Sequence, residues 1–433
     1  MHLTIGATEE GCDSLGTRYV VYVVHLEGFL FCKVRYSQLH RWNEKLRRYF
    51  GSKCVPSFPP KSFLAQTESM AEERRLQLQS YLQTVAEDPV ISVSEIFTTL
   101  LQNAQQETFK IHPQVIVLEI LLADRNKLLI DTHTYDSAER MLSIAAQKIE
   151  LSRQFLDYIA LYLVREDTNG GYTVLRKLNA FELPYVGLWS MQNENSRIMI
   201  RKSYLDPMKD RMLLGITAGV LLLYSQAKYE LERDWVKPTP NQYRKLKASQ
   251  EAGKKREFLE LMEEVKFYGY QHFEACICDY PEPNCPTSVR VGNNEINCCI
   301  QLPSNHIKEA SFKVNRIRCW RISVQIPLQE EIGLKLSFEY QDSQDLWQWV
   351  TIYTHQAFLL GSCLKEISTE KPKLAGNHAE MPFESVAPDC KPKSWNAQST
   401  LSKHIGTVPG KQCREVTRKD EASVFEYIAD DQL

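Results

Sequence analysis

The chain runs to 433 residues, enough for roughly two to four domains, and its 52 Lys plus Arg nearly balance 54 Asp plus Glu. That balance excludes a global field able to recruit nucleic acid or an anionic membrane, so any membrane contact has to be local and headgroup-specific. The most apolar stretch, residues 212–224, is about 13 residues against the roughly 20 that span a bilayer, and no basic run precedes an apolar core at the start, so the sequence predicts a soluble protein without a signal peptide.

Residues 1–5 read as the start of a strand, and residues 18–25 and 28–34 as two strands joined at Leu26-Glu27 in a short hairpin. Arg35 ends the second strand, and Tyr36-Ser37-Gln38-Leu39 leads into a helix over 37–50 that closes before Gly51. Arg47 and Arg48 lie in its last turn, where cations suit the helix dipole. Phe58-Pro59-Pro60-Lys61-Ser62-Phe63 forms a proline-rich loop. Helices over 71–87 and 94–102 follow, with Arg74 in the first turn of the former and Leu78, Tyr81 and Leu82 at helical spacing behind it. The polar run 103–108 closes a first domain over residues 1–108.

Arg35, Lys61 and Arg74 thus occupy a strand end, a loop and a helix start. Each alone reads as an ordinary surface charge, but cations brought together from three kinds of local structure make an anion pocket, and guanidinium forks suit phosphate oxygens. Tyr36 can lay an aromatic face beneath a sugar-like ring. In order, Arg-Tyr-Ser, Pro-Pro-Lys and Arg-x-x-x-Leu-x-x-Tyr-Leu resemble the signature of the phox-homology (PX) family. That resemblance implies a three-stranded sheet packed on helices and a pocket for a phosphoinositide, usually phosphatidylinositol 3-phosphate. It implies that Arg35 holds the 3-phosphate with Ser37 nearby, Tyr36 stacks on the inositol ring, Lys61 meets the 1-phosphate and Arg74 binds ring hydroxyls. Phe63 and Leu64 either enter the acyl boundary, at about 1.5–3 kcal/mol each if buried, or pack beneath the loop.

His112-Pro113 opens a second unit, with strands over 114–120 and 127–132 around the turn Ala123-Asp124-Arg125-Asn126. An amphipathic helix starts at Ser137, with Asp136 as N-cap and Glu139 three residues on. Strands over 159–165 and 173–177 flank Asn169-Gly170-Gly171, and hairpin, helix, strands is the ubiquitin-like order. From 206 to about 267 the pattern turns helical, clearest over 215–232 and 254–267, with Pro238-Thr239-Pro240 interrupting. Phe258, Leu261, Met262 and Val265 form an apolar stripe. Seven short β-rich runs between 272 and 352 and a closing helix over 355–366 then suggest a small sandwich of the phosphotyrosine-binding (PTB) or pleckstrin-like plan.

The junction Tyr268-Gly269-Tyr270-Gln271-His272-Phe273 resembles the F2-to-F3 passage of FERM domains. A PX domain followed by a shortened FERM module resembles the PX-FERM branch of the sorting nexins. The fold class expected is therefore α+β multidomain: PX over 1–108, a ubiquitin-like F1 lobe over 112–203, a short helical F2 lobe over 204–268, a PTB-like F3 lobe over 269–366, and a tail over 367–433. The resemblance implies recognition of Asn-Pro-x-Tyr or Asn-x-x-Tyr motifs in transmembrane receptor tails, such as integrin β tails, by addition of a strand beside Ile317-Arg318-Cys319-Trp320-Arg321-Ile322. Trp320 is the expected contact, an aromatic presented on an edge strand with Arg318 and Arg321 beside it. Sandwich core is the competing reading. Phe358 and Leu359 lie off the apolar stripe of the closing helix and are weaker candidates.

Residues 367–420, rich in Lys, Pro, Ser, Asn and Thr, are expected to be disordered. At the end, Phe425, Ile428, Asp430 and Leu433 stand in an acidic, apolar segment similar to the tail by which this branch engages the Retriever recycling complex. The function implied is a non-enzymatic adaptor, cytoplasmic and peripheral on early endosomes, that promotes recycling of receptors away from lysosomal degradation. Alternatives are a FERM scaffold for a small GTPase bound at F1, or a lipid-anchored enzyme, against which nucleotide-loop, dinucleotide, zinc-protease and nucleophile-elbow motifs are missing from the sequence. The 12 cysteines lack paired metal-ligand spacing and read as reduced thiols, so no metal or cofactor is expected.

Overall fold

The computed structural model describes residues 1–12, 14–61, 68–167, 170–191, 195–325, 333–342, 346–369 and 421–427. The first domain is an antiparallel sheet of β1 (Leu3–Cys12), β2 (Arg18–Leu26) and β3 (Phe29–Arg35), followed by α1 (Tyr36–Phe50), α2 (Glu68–Glu87) and α3 (Glu95–Phe109). Glu27 (φ 51°) and Gly28 (φ 85°) form the tight β2–β3 turn, whose positive φ values match the twist of a hairpin. Gly28 has a second reason to lack a side chain: a Cβ there would stand 3.1 Å from the Phe358 ring. The polar run expected to end the domain is the last part of α3. Ala104 and Gln105 are buried, and Thr108 accepts from the Lys33 amide at 2.8 Å, so tertiary packing extends the helix through residues whose composition reads as linker.

The F1 lobe comprises β4 (Val115–Leu121), β5 (Lys127–His133), α4 (Ala138–Lys148), β6 (Ile159–Glu166), β7 (Tyr172–Lys177), α5 (Pro184–Met191) and β8 (Ser196–Lys202). Its sheet runs β5-β4-β8-β6-β7, with β8 parallel to β4 at the centre. The N-cap of α4 is Ser137, accepting from the Arg140 amide, whereas Asp136 ties the preceding turn by accepting from Thr132 and the His133 amide. The F2 lobe is α6 (Asp210–Leu214), α7 (Thr217–Glu232), α8 (Pro240–Glu251) and α9 (Lys255–Met262). The proline pair expected to interrupt helix instead begins one: Thr239 caps α8 in a reciprocal capping box with Gln242, and Pro240 takes the first helical position, where no amide is required.

The F3 lobe contains β9 (Gln271–His272), β10 (Cys276–Cys278), β11 (Cys285–Gly292), β12 (Glu295–Gln301), β13 (Ile307–Lys313), β14 (Ile317–Gln325), β15 (Gly333–Gln341) and β16 (Trp347–Tyr353), closed by α10 (Ala357–Thr369). Its strand order is β13-β12-β11-β10-β16-β15-β14, and a far segment of the chain, β17 (Glu421–Tyr427), adds antiparallel to the outer edge of β14. Among the described residues the cysteines are free thiols. Burial pushes Cys276 and Cys278 up to about 11, consistent with inert core thiols rather than metal ligands. No helix is long and apolar enough to cross a membrane among the described residues.

Candidate functional site

Arg35 stands where β3 passes into α1, its amide donating to the Gln38 carboxamide at 2.7 Å and its guanidinium lying over the Tyr19 ring at 3.2 Å. The neighbouring Tyr36 donates its hydroxyl to the Pro59 carbonyl at 2.8 Å and packs its ring 5.5 Å from Phe58, tying the proline loop to the head of α1. Arg74, nearly two turns into α2, donates to the Pro60 carbonyl at 3.0 Å and holds its guanidinium 5.2 Å from the Tyr36 ring. The strand end, the loop and the helix start therefore meet around Tyr36, with Lys61 exposed directly after the Pro60 carbonyl and Ser37 exposed on the first turn of α1. Arg75, the next residue, serves a different purpose: it is buried, donates to the Ile5 carbonyl and pairs with Glu72, pinning α2 onto β1. Phe63 and Leu64 lie outside the described residues.

Arg74, Tyr36 and the Pro59 and Pro60 carbonyls are therefore in contact, and Arg35 adjoins them along the chain at Tyr36. Among the described residues neither guanidinium pairs with a carboxylate: Arg35 lies over the Tyr19 ring, and Arg74 lies beside the Tyr36 ring and donates to the Pro60 carbonyl, which leaves both charges for an anion. Two tyrosines escape a reading by motif alone. Tyr19 is one; the β2–β3 register sets Val21 opposite Arg35, so Tyr19 falls two residues along on the same face. Tyr22 is the other, a buried phenol whose pKa burial raises while the nearby Arg74 charge pulls it down. Hairpin register is the sequence signal that finds Tyr19, whereas Tyr22, opposite Val34, points to the core face of the sheet.

The second site is the outer edge of β14. A bulge between Ile317 and Cys319 resets the strand's alternation, so Ile317, Trp320 and Ile322 all point into the core. Trp320 is consequently 3% exposed rather than presented to solvent as expected, and its indole nitrogen has no hydrogen-bond partner among the described residues. It lies beneath α10 at Gly361, where a Cβ would meet the Ile322 side chain at 3.0 Å. Arg318 and Arg321 turn to the opposite face, over the Trp347 ring at 5.0 Å and the Trp349 ring at 4.9 Å, with Arg318 also paired to Glu339 at 2.5 Å.

Phe358 and Leu359 correct the expectation for α10. Phe358 packs on the first domain, 5.8 Å from the His2 ring and against Gly28, while Leu359 lines a cavity shared with F1 and F2. A single apolar stripe presumes one partner, but α10 is buried on nearly all sides by F3, F1 and PX together, so residues off the stripe are covered too. Neither side chain faces a peptide groove. The tail also has a definite place: in β17, Phe425 stands opposite Arg321 and Tyr427 opposite Cys319. Ile428, Asp430 and Leu433 lie outside the described residues.

Family comparisons follow the same division. Residues 24–104 match the PX domain, 116–205 the sorting nexin 17/27/31 FERM F1 lobe, 206–266 the sorting nexin 17/31 F2 lobe and 269–372 the sorting nexin 17 FERM C-terminal domain. The chain is 42% identical to sorting nexin-31 of Homo sapiens over 442 residues, covering 100% of each. It is 40% identical to sorting nexin-17 of Homo sapiens, over 86% of this chain and 81% of the relative. Among solved structures, the MyTH4-FERM MF2 domain of Dictyostelium discoideum myosin VII aligns at 12% identity and a TM-score of 0.43, over 78% of this chain and 90% of that one. With PX, F1, F2 and F3 in unbroken order and full-length relatives at this identity, the chain belongs to the PX-FERM sorting nexins, a family of typically non-enzymatic, peripheral adaptors of endosomal sorting.

Proposed function

We propose that this sorting nexin reads phosphatidylinositol 3-phosphate on early endosomes with its first domain and carries receptor tails bearing Asn-Pro-x-Tyr or Asn-x-x-Tyr motifs on its F3 lobe, returning them to the surface rather than to lysosomes. The observation that carries the lipid half is the meeting of Arg74, Tyr36 and the Pro59-Pro60 carbonyls beside Arg35. Arg35 takes the 3-phosphate, Tyr36 the ring face, Lys61 the 1-phosphate and Arg74 the ring hydroxyls, with Ser37 at the rim. Arg35→Ala is expected to abolish binding to vesicles containing phosphatidylinositol 3-phosphate while the unfolding midpoint holds; unchanged vesicle binding would refute the pocket.

For cargo, the support is the outer edge of β14, which accepts β17 as the eighth strand in the row by antiparallel pairing. A receptor tail adds there with Arg318 and Arg321 on the outer face, and the Trp320 indole N–H, enclosed beneath α10 and without a partner among the described residues, becomes a donor to the incoming chain once that chain opens the seam between β14 and α10. Because β17 holds the same edge, cargo displaces it, and residues 421–433, including Phe425, Ile428, Asp430 and Leu433, become available to the Retriever complex. Trp320→Phe keeps the core filled and removes the donor, and is expected to weaken a receptor-tail peptide about fivefold to tenfold, the effect of roughly one neutral hydrogen bond. An unaltered peptide affinity counts against the groove assignment. A second reading rests on Val115, Val117 and Leu129, exposed on the β4–β5 hairpin at the edge of the F1 sheet, a surface on which a small GTPase can dock. Pulldown with nucleotide-loaded GTPases, comparing Val117→Asp with the natural chain, decides it.

A further inference from the structure

Where F1, F2 and F3 meet, a cavity of about 40 Å³ is lined by Lys177, Arg201 and Lys202 against a single carboxylate, Glu366. Two of these cations are already matched. Lys202 lies 3.3 Å from Asp210 with both side chains buried, and Lys177 donates to the Ser203 carbonyl at 2.8 Å and stands 3.6 Å from Glu366. Arg201 is not matched. It is 6% exposed, its neighbour is the Tyr162 ring at 6.0 Å, and among the described residues its guanidinium makes no hydrogen bond or ion pair.

A guanidinium that makes no hydrogen bond to the described residues and opens onto a small cavity leaves its donors to whatever occupies that cavity. The groups that face it from the packed elements are Gln226 and Glu230 on α7, Ser362, Cys363 and Glu366 on α10, and Tyr162 on β6. Glu230 is the remaining acid without an ion pair. It accepts from the Gln226 amide at 3.0 Å, and burial raises its pKa against the pull of Lys202 and Arg201, so it is poorly suited to serve as the counter-charge. A water needs about 10–15 Å³ of such space, so the cavity has room for one tetrahedral ion and excludes an inositol phosphate.

We propose that this three-lobe cavity binds a single small oxyanion of the phosphate class, held by the Arg201 guanidinium fork with help from Lys177 and the Ser362 hydroxyl. The ion supplies the acceptor oxygens that Arg201 lacks and ties the F1 sheet to α10. This site is separate from the lipid cleft and does not depend on the adaptor reading. It is tested on the full chain carrying Arg35→Ala, so that phosphate entering the lipid cleft does not contribute. Replacing chloride by about 20 mM inorganic phosphate at matched ionic strength is expected to raise the thermal midpoint by about 2 °C or more. Arg201→Met should erase that response without lowering the midpoint in chloride, since an uncompensated charge is exchanged for an apolar side chain. Should Arg201→Met fail to fold, crystals of the natural chain soaked in selenate are to show an anomalous peak within hydrogen-bond reach of the Arg201 guanidinium. A phosphate response that persists in Arg201→Met, the lack of any response beyond chloride, or an empty selenate map at Arg201 each overturns the site.

Discussion

Tyr36 holds its ring between Arg74 and Phe58 while its hydroxyl fastens the Pro59 carbonyl, so one residue sets both the floor of the proposed lipid cleft and the position of the loop that bears Lys61. Tyr36→Phe removes only the second of these. The lost bond is neutral and partly solvated, worth about 1 kcal/mol, so vesicle affinity is expected to fall several-fold with little change in the unfolding midpoint, as read by vesicle sedimentation and thermal melts. His272 acts on stability instead of binding. Its ring stacks on Trp235 at 4.8 Å, Nε2 finds no partner among the described residues, and burial lowers its pKa to about 3, with the Arg290 charge adding to the effect. The unfolded chain takes up a proton near the ordinary histidine value of about 6.5 while the folded chain refuses it. Protonation therefore favours unfolding, and stability declines as pH drops through about 6.5 toward 3, approaching about 1.4 kcal/mol per pH unit. Glu295 and Glu309, whose folded pKa values are lowered, act below about 4.5. His25, lowered by burial, shares the histidine window. His272→Gln should therefore flatten the dependence between about pH 6.5 and 5 without removing it; denaturant midpoints across that range check the slope, and an unchanged slope would show that His272 is not the group responsible.

The pairing of β17 with β14 is an element-scale event, because it is made by backbone groups and is open to any extended segment. A tethered strand competes at an effective concentration set by the length of chain that joins it to the edge, here residues 370–420 between α10 and β17. Deleting residues 421–433 should accordingly tighten a receptor-tail peptide by about threefold or more and leave vesicle binding untouched; calorimetric titration of the two chains decides it, and equal affinities would mean that peptide and tail do not share an edge. Local signals read many of the elements from sequence, though not their bounds: the first hairpin, expected to turn at Leu26-Glu27, turns at Glu27-Gly28, and the seven β-rich runs expected in F3 are eight strands among the described residues before the closing helix. What was not legible depended on partners distant in the chain. β8 has no hairpin partner beside it in the chain and is not among the expected strands, yet it is the central strand of F1, paired with β4 and β6. Trp320 turned inward on a bulge that no residue type announces, and Phe358 was claimed by a domain more than 300 residues upstream. Around Tyr36, by contrast, the contacts of the head of α1 with Pro59 and of Arg74 with Pro60 and the Tyr36 ring join segments whose local settings are readable in sequence.

At the scale of the whole molecule, the lipid cleft and the cargo edge belong to bodies that are packed together rather than strung on a linker. Phe31 meets Phe181 at 6.2 Å, Phe109 meets Trp189 at 6.2 Å, Gln102 donates to the Phe181 carbonyl at 2.8 Å, and His2 and Gly28 receive Phe358 of α10. A headgroup held at Arg35 and a receptor tail on β14 then keep a set relation, which suits two ligands presented by one membrane surface. The joint has a charged centre: Arg176 on β7 donates to both oxygens of Glu182 at 2.8 and 2.5 Å, and Glu27 of the β2–β3 turn is drawn to the same cation, all three side chains being buried. Burial raises the Glu27 pKa while the Arg176 charge opposes that rise, so the guanidinium balances two acids from different domains. Arg176→Met strands both carboxyls in an apolar joint and is expected to cost about 3–5 kcal/mol, whereas Arg176→Met with Glu182→Met leaves only Glu27 without its cation and should recover part of that loss. Denaturant unfolding of the single and double variants measures the difference. Because the joint sits between PX and F1, the single variant should also expose the 110–114 connection to protease while both domains remain folded. A double variant no more stable than the single one, or protease resistance equal to the natural chain, would mean that the two domains are held by their aromatic contacts and not by this ion pair.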